Sequence, residues 1–484
     1  MSQATLISWL LLAGHVVLVL LAAVLISTNR KPSSAIAWIL TVIFIPVLGI
    51  AFFLLVGFGK LPRQRRDKQR EVCQAILTRT DGLDQVSHRE EWPDWLPSMV
   101  TMNRRLGSLP MVGGNCAELI ESYAGSIQAM ADAIDTAEHF VHVEFFILVS
   151  DETTEPVFAA LERASARGVD IRVLSDHVAQ FMYPNRKSTI KRFEAMGAHY
   201  RPMLPLQPFR GKWRRPDLRN HRKLVVVDGV VGFTGSQNMI ADHYHKKKGI
   251  KKGLHWHELM VRLTGPTVRE LDAVFVTDWY SETDELLSLD TSPVRLGADP
   301  ELVDAQILPS GPSFDNDNNL KLFAAMIQNA RLRISVTSPY YVPDETIQMA
   351  LVTAGSRGLD VELFVSEIGD QFMVFHAQRS YYEQLLRAGV KIYFYRAPTI
   401  LHAKHLSIDD DVAVIGSSNL DIRSLSLHME LSVLVHGTGF TSAMRAIEDD
   451  YRAKSRQILL ADWLKRPRRE QIFDNLMRLT SSLQ

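Results

Sequence analysis

The sequence predicts an α/β protein: two copies of one mixed-sheet lobe flanked by helices, behind an apolar N-terminal hairpin. Three observations carry this reading. The chain repeats itself at a spacing of about 185 residues. Inside each copy, β-rich apolar runs alternate with helical patterns. Two long stretches without a formal charge fill most of the first 60 residues.

The apolar stretches come first in the chain. Thr5–Ser27 and residues 35–59 each reach the ~20 residues that cross a hydrocarbon core as a helix. A short polar loop, residues 28–34, joins them. A secretory signal is the rival reading of the first stretch, but it lacks a basic leading region and a second stretch follows at once. Residues 1–60 are therefore expected to form a two-helix transmembrane hairpin. Lys60, Arg63, Arg65, Arg66, Lys68 and Arg70 outnumber Arg30 and Lys31 in the loop. The positive-inside bias then leaves the rest of the chain in the cytoplasm, on a multi-pass protein of the cytoplasmic (inner) membrane. His15 is expected only to bond a neighbouring helix.

The bulk of the chain names no partner by charge, since Lys+Arg and Asp+Glu both number 54 among 484 residues. Its two cysteines, Cys73 and Cys116, exclude a Cys-rich zinc module and a disulfide framework. Residues 61–109 read as a basic linker and an irregular connector holding Trp92, Pro93, Trp95 and Pro97. The copies are assigned to 110–295 and 296–484. Ala164-Ser165-Ala166-Arg167-Gly168-Val169-Asp170-Ile171 is echoed by Ala354-Gly355-Ser356-Arg357-Gly358-Leu359-Asp360-Val361. Each copy reads strand, helix, strand, helix, strand, the second helix closing at Gly197 or Gly389.

Both copies culminate in one pattern, H-x-K-x4-D-x6-G-S-x-N. It runs from His221 and Lys223 through Asp228 to Ser236 and Asn238, and again from His402 and Lys404 through Asp409 to Ser417 and Asn419. In extended chain, residues two apart share a face, so each His points with its Lys. The Asp228-Gly229 pair favours a turn that returns the chain as a second strand. One copy thus gathers an imidazole, an ammonium, a hydroxyl and an amide. Imidazole attacks or donates a proton near neutral pH, and the other groups bond phosphodiester oxygens. Two copies face to face supply one neutral and one protonated imidazole. No Asp/Glu/His cluster stands at metal-ligand spacing, so neither metal nor cofactor is expected.

These paired motifs resemble the HKD motifs of the phospholipase D superfamily, and the resemblance covers essentially all of residues 110–484. The leading hairpin and Ser338-Pro339-Tyr340-Tyr341-Val342-Pro343-Asp344 are similar to its cardiolipin synthase branch. The resemblance implies an enzyme acting on phospholipids, which joins two phosphatidylglycerols and releases glycerol. It implies His221 as nucleophile, forming a phosphatidyl-histidine, and His402 as general acid. Lys223, Lys404, Ser236, Ser417, Asn238 and Asn419 complete the site. It further implies an acidic residue behind each imidazole, with Glu430 serving His402 and Glu258 serving His221. Asp228 and Asp409 are expected to be structural.

Two basic stretches flank the first motif: Lys246, Lys247, Lys248, Lys251 and Lys252, and the aromatic-rich Phe209-Arg210-Gly211-Lys212-Trp213-Arg214-Arg215. Both suit anionic headgroups, although nucleic acid presents phosphodiesters too. A membrane-tethered nuclease is thus the rival class, and the two apolar stretches favour lipid over nucleic acid. Hydrolysis, or transfer from another lipid donor, stays open because water competes for the same intermediate. The sequence leaves the oligomeric state open.

Overall fold

The computed structural model describes residues 3–28, 32–57, 59–80, 85–87, 89–207, 215–288 and 302–481. Arg30, Lys31, the aromatic-rich basic residues 209–214 and the boundary expected at 295–296 lie outside the described residues. The chain forms two compact units, one of residues 1–59 with 215–217 and one of residues 60–214 and 218–484.

In the first unit, Gln3–Ser27 is a helix of 25 residues, and its Thr5–Ser27 portion is long and apolar enough to cross a membrane. The second apolar stretch departs from expectation. It forms two helices, Pro32–Phe44 and Pro46–Val56, instead of one continuous span. The break has a local cause: the ring of Pro46 disfavours helical backbone at the residue before it, and Ile45 sits at φ −134° and ψ 69°. The three helices bury Ile26, Val42 and Phe53 among themselves, with Trp38 edge-on to Phe53 at 5.3 Å.

The segment read as linker and irregular connector is largely helical, over Arg63–Arg79 and Leu96–Gly107. Its aromatic residues explain why, because Trp92 and Trp95 are buried in the core and the Trp92 indole N–H donates to Asp304 at 2.7 Å. Most of the basic run is already paired inside the second unit. Arg65 is buried against Glu282 at 2.5 Å, and Arg66 and Arg70 both reach Asp315.

The first copy contributes seven strands to the main sheet: β1 (Val112–Ile120), β2 (Phe140–Phe145), β3 (Asp170–Asp176), β4 (His199–Met203), β5 (Lys223–Val227), β6 (Val231–Gly235) and β7 (Met260–Thr264). The second contributes eight: β8 (Val303–Ser310), β9 (Arg333–Thr337), β10 (Asp360–Ser366), β11 (Lys391–Tyr395), β12 (His405–Ile408), β13 (Val412–Gly416), β14 (Glu430–His436) and β15 (Ser455–Ile458). All belong to one 15-stranded sheet, ordered β15-β11-β10-β9-β12-β13-β14-β8-β1-β7-β6-β5-β2-β3-β4. The order is the same read outward from the β8–β1 pair in either direction, apart from β15 at one edge. In each copy the three strands joined by helices are parallel and the others antiparallel, as their connections require.

The copies are therefore not separate globules. Antiparallel pairing of β1 with β8, Val112 opposite Ala305, carries the sheet across the junction. Helices Thr267–Thr283 and Thr438–Ala453 share one buried cluster there, including Phe275, Ile307, Leu431, Val433 and Tyr451. The outer helices bury separate clusters, around Phe158 and Leu161 in one copy and Leu351 and Leu363 in the other.

Asp228 and Gly229 have φ of 52° and 66°, and the N–H of Val230 donates to the Val227 carbonyl at 2.9 Å. This is the tight turn whose twist matches the strands it joins. The Asp228 carboxylate turns back to accept the N–H groups of Glu138, His139 and Phe140 at 2.7–2.9 Å, fixing where β2 begins. Asp409 does the same for Arg331, Leu332 and Arg333. Asp228→Ala strips three donors of their acceptor, and thermal or denaturant unfolding should show a loss of about 2 kcal/mol. An unchanged midpoint would show that this anchor contributes nothing.

Candidate active site

The two motif histidines lie where the copies meet. Each sits just ahead of a strand, in extended chain that bonds to the opposite copy. The N–H of His221 donates to the Met429 carbonyl at 2.8 Å, and that of His402 donates to the His257 carbonyl at 2.7 Å. Short pairings extend both contacts, Asn220 with Met429 and Thr399–Leu401 with His255–His257.

This backbone exchange decides which carboxylate each imidazole meets. Nδ1 of His221 is 3.0 Å from both oxygens of Glu430, and Nδ1 of His402 is 2.7 Å from Glu258 Oε1. The expected pairing within each copy is thus reversed. Glu430 serves His221 and Glu258 serves His402, because the glutamate-bearing segment of one copy lies alongside the histidine segment of the other. All four side chains are buried. With Nδ1–H donated to carboxylate, Nε2 is the ring atom each histidine offers for chemistry.

The remaining motif residues support this frame. Lys223 is fully buried and donates to the carbonyl of His221 at 2.5 Å. Lys404 donates to the carbonyl of His402 at 2.6 Å, its Nζ 3.3 Å from that ring's Nε2. Ser417 Oγ donates to Glu430 at 2.5 Å and accepts the Leu431 N–H, while Ser236 Oγ accepts the Leu259 N–H at 2.9 Å. The serines therefore hold the glutamate segments. The glycines before them make room, since a side chain on Gly235 would strike the Leu259 carbonyl and one on Gly416 the Leu431 carbonyl. Asn238 donates to the Tyr244 hydroxyl at 3.0 Å, and Asn419 donates to Ser424 at 3.3 Å.

Three contributors have no signature in the motif spacing. Tyr244 donates to Glu258 at 2.8 Å, steadying the carboxylate behind His402. Arg222, fully buried, donates to the carbonyls of Glu430 and Ser310 and pairs with Asp278. A guanidinium inside a strand-like apolar run was its only signal. His428 puts its ring 5.6 Å from that of His221 and Nδ1 3.8 Å from Glu430. Nitrogen and carboxylate atoms of His221, His428 and Glu430 all lie within 4.8 Å of one another, a donor set that could hold a divalent ion. The expectation of no such cluster read spacing along the chain, and this one is assembled across the junction. The copies differ here, because Trp256, its ring tilted against that of Tyr244 at 4.8 Å, occupies the place of His428.

Burial dominates the electrostatics. It pushes the His221 imidazole well below its ordinary range, with the Lys223 and Lys404 charges adding to the effect. It lowers His402 too, where the Glu258 charge opposes the shift. Burial brings Lys223 down to about 7 and Lys404 to about 8, against the pull of the glutamates. Burial alone would raise the Glu258 carboxyl, but His402 and Lys404 hold it below the usual carboxylate range. The pocket thus holds neutral imidazoles beside two ammonium groups that lose their protons easily, and an anionic ligand would restore their charge.

The family model described as "Cardiolipin synthase, PLD-like domain" matches residues 130–279 and 323–450, and the one described as "Phospholipase D-nuclease N-terminal" matches residues 17–57. The chain is 30% identical to Cardiolipin synthase A of Proteus mirabilis, over 98% of this chain and 96% of that one. It is also 30% identical to Cardiolipin synthase A of Serratia proteamaculans, over 99% of each. Among solved structures it resembles phosphatidylserine synthase of Haemophilus influenzae, with a TM-score of 0.55 and 14% identity over 79% of this chain and 97% of that one. This last likeness concerns the fold.

Two tests follow from this geometry. With a nitrophenyl phosphatidyl ester, whose leaving group needs no proton, Glu258→Gln should keep nitrophenol release near wild type. Glu430→Gln, which disturbs the ring taken as nucleophile, should slow it on the order of 10²-fold or more. The opposite ranking would restore pairing within each copy. In kcat/KM against pH, His221 stays neutral below the usual imidazole range, so the acid limb should lie below pH 6.5. Loss of the proton that His402 must carry as general acid, on a ring that burial holds below the usual imidazole range, should begin the fall of kcat/KM as pH rises. Loss of the ammonium protons should continue it through about 7 to about 8. An alkaline limb more than a unit above that window would contradict this assignment.

Proposed function

From the premise that this chain belongs to the phospholipase D-like cardiolipin synthase family, we propose that it joins two phosphatidylglycerol molecules into cardiolipin and glycerol through a phosphohistidine. It is a phosphatidyl transferase acting on phospholipid. The observation that best supports the two-step route is the crossed pair of buried His–Glu contacts, which leaves two Nε2 atoms available beside two lysines.

In the first step, Nε2 of His221 attacks phosphorus as the P–O bond to the headgroup glycerol breaks. His402 gives its Nε2 proton to the departing oxygen. The phosphodiester's own negative charge offsets Lys404, one of the influences that disfavour a proton on His402. Lys223 and Lys404 bear the charge on the five-coordinate phosphorus. In the second step His402 takes the proton from a headgroup hydroxyl of another phosphatidylglycerol. That oxygen attacks phosphorus, the P–N bond breaks, and His221 returns to its starting state. The stronger lowering at His221 supports its role as the neutral nucleophile, and the Glu258 charge beside His402 supports that ring as proton carrier.

The helix Gln3–Ser27 anchors the protein, and we read Pro32–Phe44 with Pro46–Val56 as a second, kinked pass, since proline breaks are tolerated in membrane helices. We read the main unit as lying on the cytoplasmic side of the cytoplasmic membrane, a reading that the basic residues after the second stretch support.

Purified protein given defined phosphatidylglycerol should yield cardiolipin and glycerol. Phosphatidic acid as the main product would instead identify a hydrolase. His221→Ala and His402→Ala should each lower turnover by ~10³-fold or more while remaining folded and membrane-bound. In His402→Ala given the nitrophenyl ester, an adduct trapped by alkaline quench should map to the peptide containing Asn220-His221-Arg222-Lys223. Near wild-type turnover in either variant would defeat the paired mechanism, and an adduct on His402 in otherwise intact protein would reverse the roles.

A further inference from the structure

Gln180-Phe181-Met182 and Gln371-Phe372-Met373 repeat one tripeptide at equivalent places in the two copies. The first follows β3 and the second follows β10. Strand register fixes which end of the sheet they leave from. Phe145 is opposite both Ser175 and Lys223, and Thr337 is opposite both Phe364 and His405. Each tripeptide therefore emerges at the strand ends that carry its own copy's motif histidine. Yet these side chains are not in the core: Phe181 is 60% exposed, Met182 69%, Phe372 65% and Met373 42%. Two large apolar side chains exposed together, twice, at the mouth end of a site are not the scattered apolar residues of an ordinary surface.

The surroundings are basic. A groove of about 580 Å³ beside Phe181 is lined by Arg186, Lys187 and Lys191. The Lys247–Ile250 helix and the turn after it expose Lys247, Lys248, Lys251 and Lys252 around Ile250, itself 47% exposed. Among the described residues none of these seven cations has a carboxylate partner, whereas most of the basic run following residue 59 is paired. The turn is tied to both tripeptides. The ring of Tyr244 lies 6.3 Å from Tyr183, next to Met182, and Lys246 is bonded to Asp370 at 2.7 Å, next to Gln371.

We propose that the two Phe–Met pairs and the basic turn between them form the face by which the main unit sits on an anionic lipid surface. The aromatic and thioether side chains enter the boundary of the acyl chains, and the cations without carboxylate partners meet phosphate headgroups. The site mouth then opens on the bilayer, so a headgroup enters it without its lipid leaving the membrane. This rests on the phospholipid-substrate reading above.

The test uses the full chain in phosphatidylglycerol nanodiscs, with Cys73→Ser and Cys116→Ser removing the native thiols. An environment-sensitive probe is attached at Met182→Cys, Met373→Cys or, as a control at the other end of the strands, Glu138→Cys. Quenchers on the acyl chains should quench the probes at 182 and 373 and leave the one at 138 unaffected. Equal insensitivity at all three would overturn the proposal. So would crosslinking of position 182 or 373 between two chains without lipid quenching, because a second copy would then cover this face. The joint variant Phe181→Ser, Met182→Ser and Phe372→Ser should lose roughly tenfold or more in turnover of bilayer lipid. It should keep wild-type turnover of short-chain, soluble phosphatidylglycerol. Equal losses on both substrates would place these residues in the reaction itself and overturn docking. Quenching is read without turnover, so protein that docks but transfers no phosphatidyl group would sink the functional reading alone.

Discussion

Everything at this site depends on two buried carboxylates that reach across the junction. Glu430 and Glu258 are removed from water, which is tolerable only because each meets an imidazole and lies close to an ammonium. Neither copy is a site by itself, since one brings a histidine and the other brings the acid that orients it. Such an arrangement needs the copies fixed to within a fraction of an ångström. The continuous sheet through β1 and β8 supplies that rigidity, with Arg222 bonding to Asp278 on one side and to the Glu430 and Ser310 carbonyls on the other. The fold is thus a device for holding two half-sites in register.

The charges are balanced for an occupied pocket more than for an empty one. Two lysines share the space with two imidazoles, and burial weakens the hold of each lysine on its proton. In the proposed reaction a phosphodiester would supply the missing negative charge, close to both lysines. The surroundings of the two carboxylates differ between the copies. Tyr244 and Asn238 steady the acid behind His402, while His428 and Ser417 contact the one behind His221.

Much of this was legible in the chain itself. The repeat gave the number of copies, the strand–helix alternation gave the layers, and the spacing of His, Lys, Asp and Gly-Ser gave both hairpins with their turns. Pairing of the glutamates was not legible. Sequence proximity favours Glu258 for His221, and only the parallel pairing of extended segments across the junction sends it to His402. The same holds for His428, whose neighbour His221 is remote in sequence. The second apolar stretch read as one span from its length and composition, which take no account of Pro46 within it. The Trp92 region read as irregular because prolines and tryptophans mask helical periodicity, although burial of those same rings is what orders it.

The crossed carboxylates also set when in its life the protein becomes reactive. A chain growing on the ribosome exposes Thr5–Ser27 first and the strand hairpin that follows His221 only when nearly half of the chain has been made. His221 nevertheless lacks its carboxylate until Glu430 has emerged, by which point nearly nine-tenths of the polypeptide has been made. Incomplete or prematurely terminated chains can therefore be inserted in a membrane and still be unable to open its lipids. Assembly across the junction works as a built-in delay between insertion and chemistry.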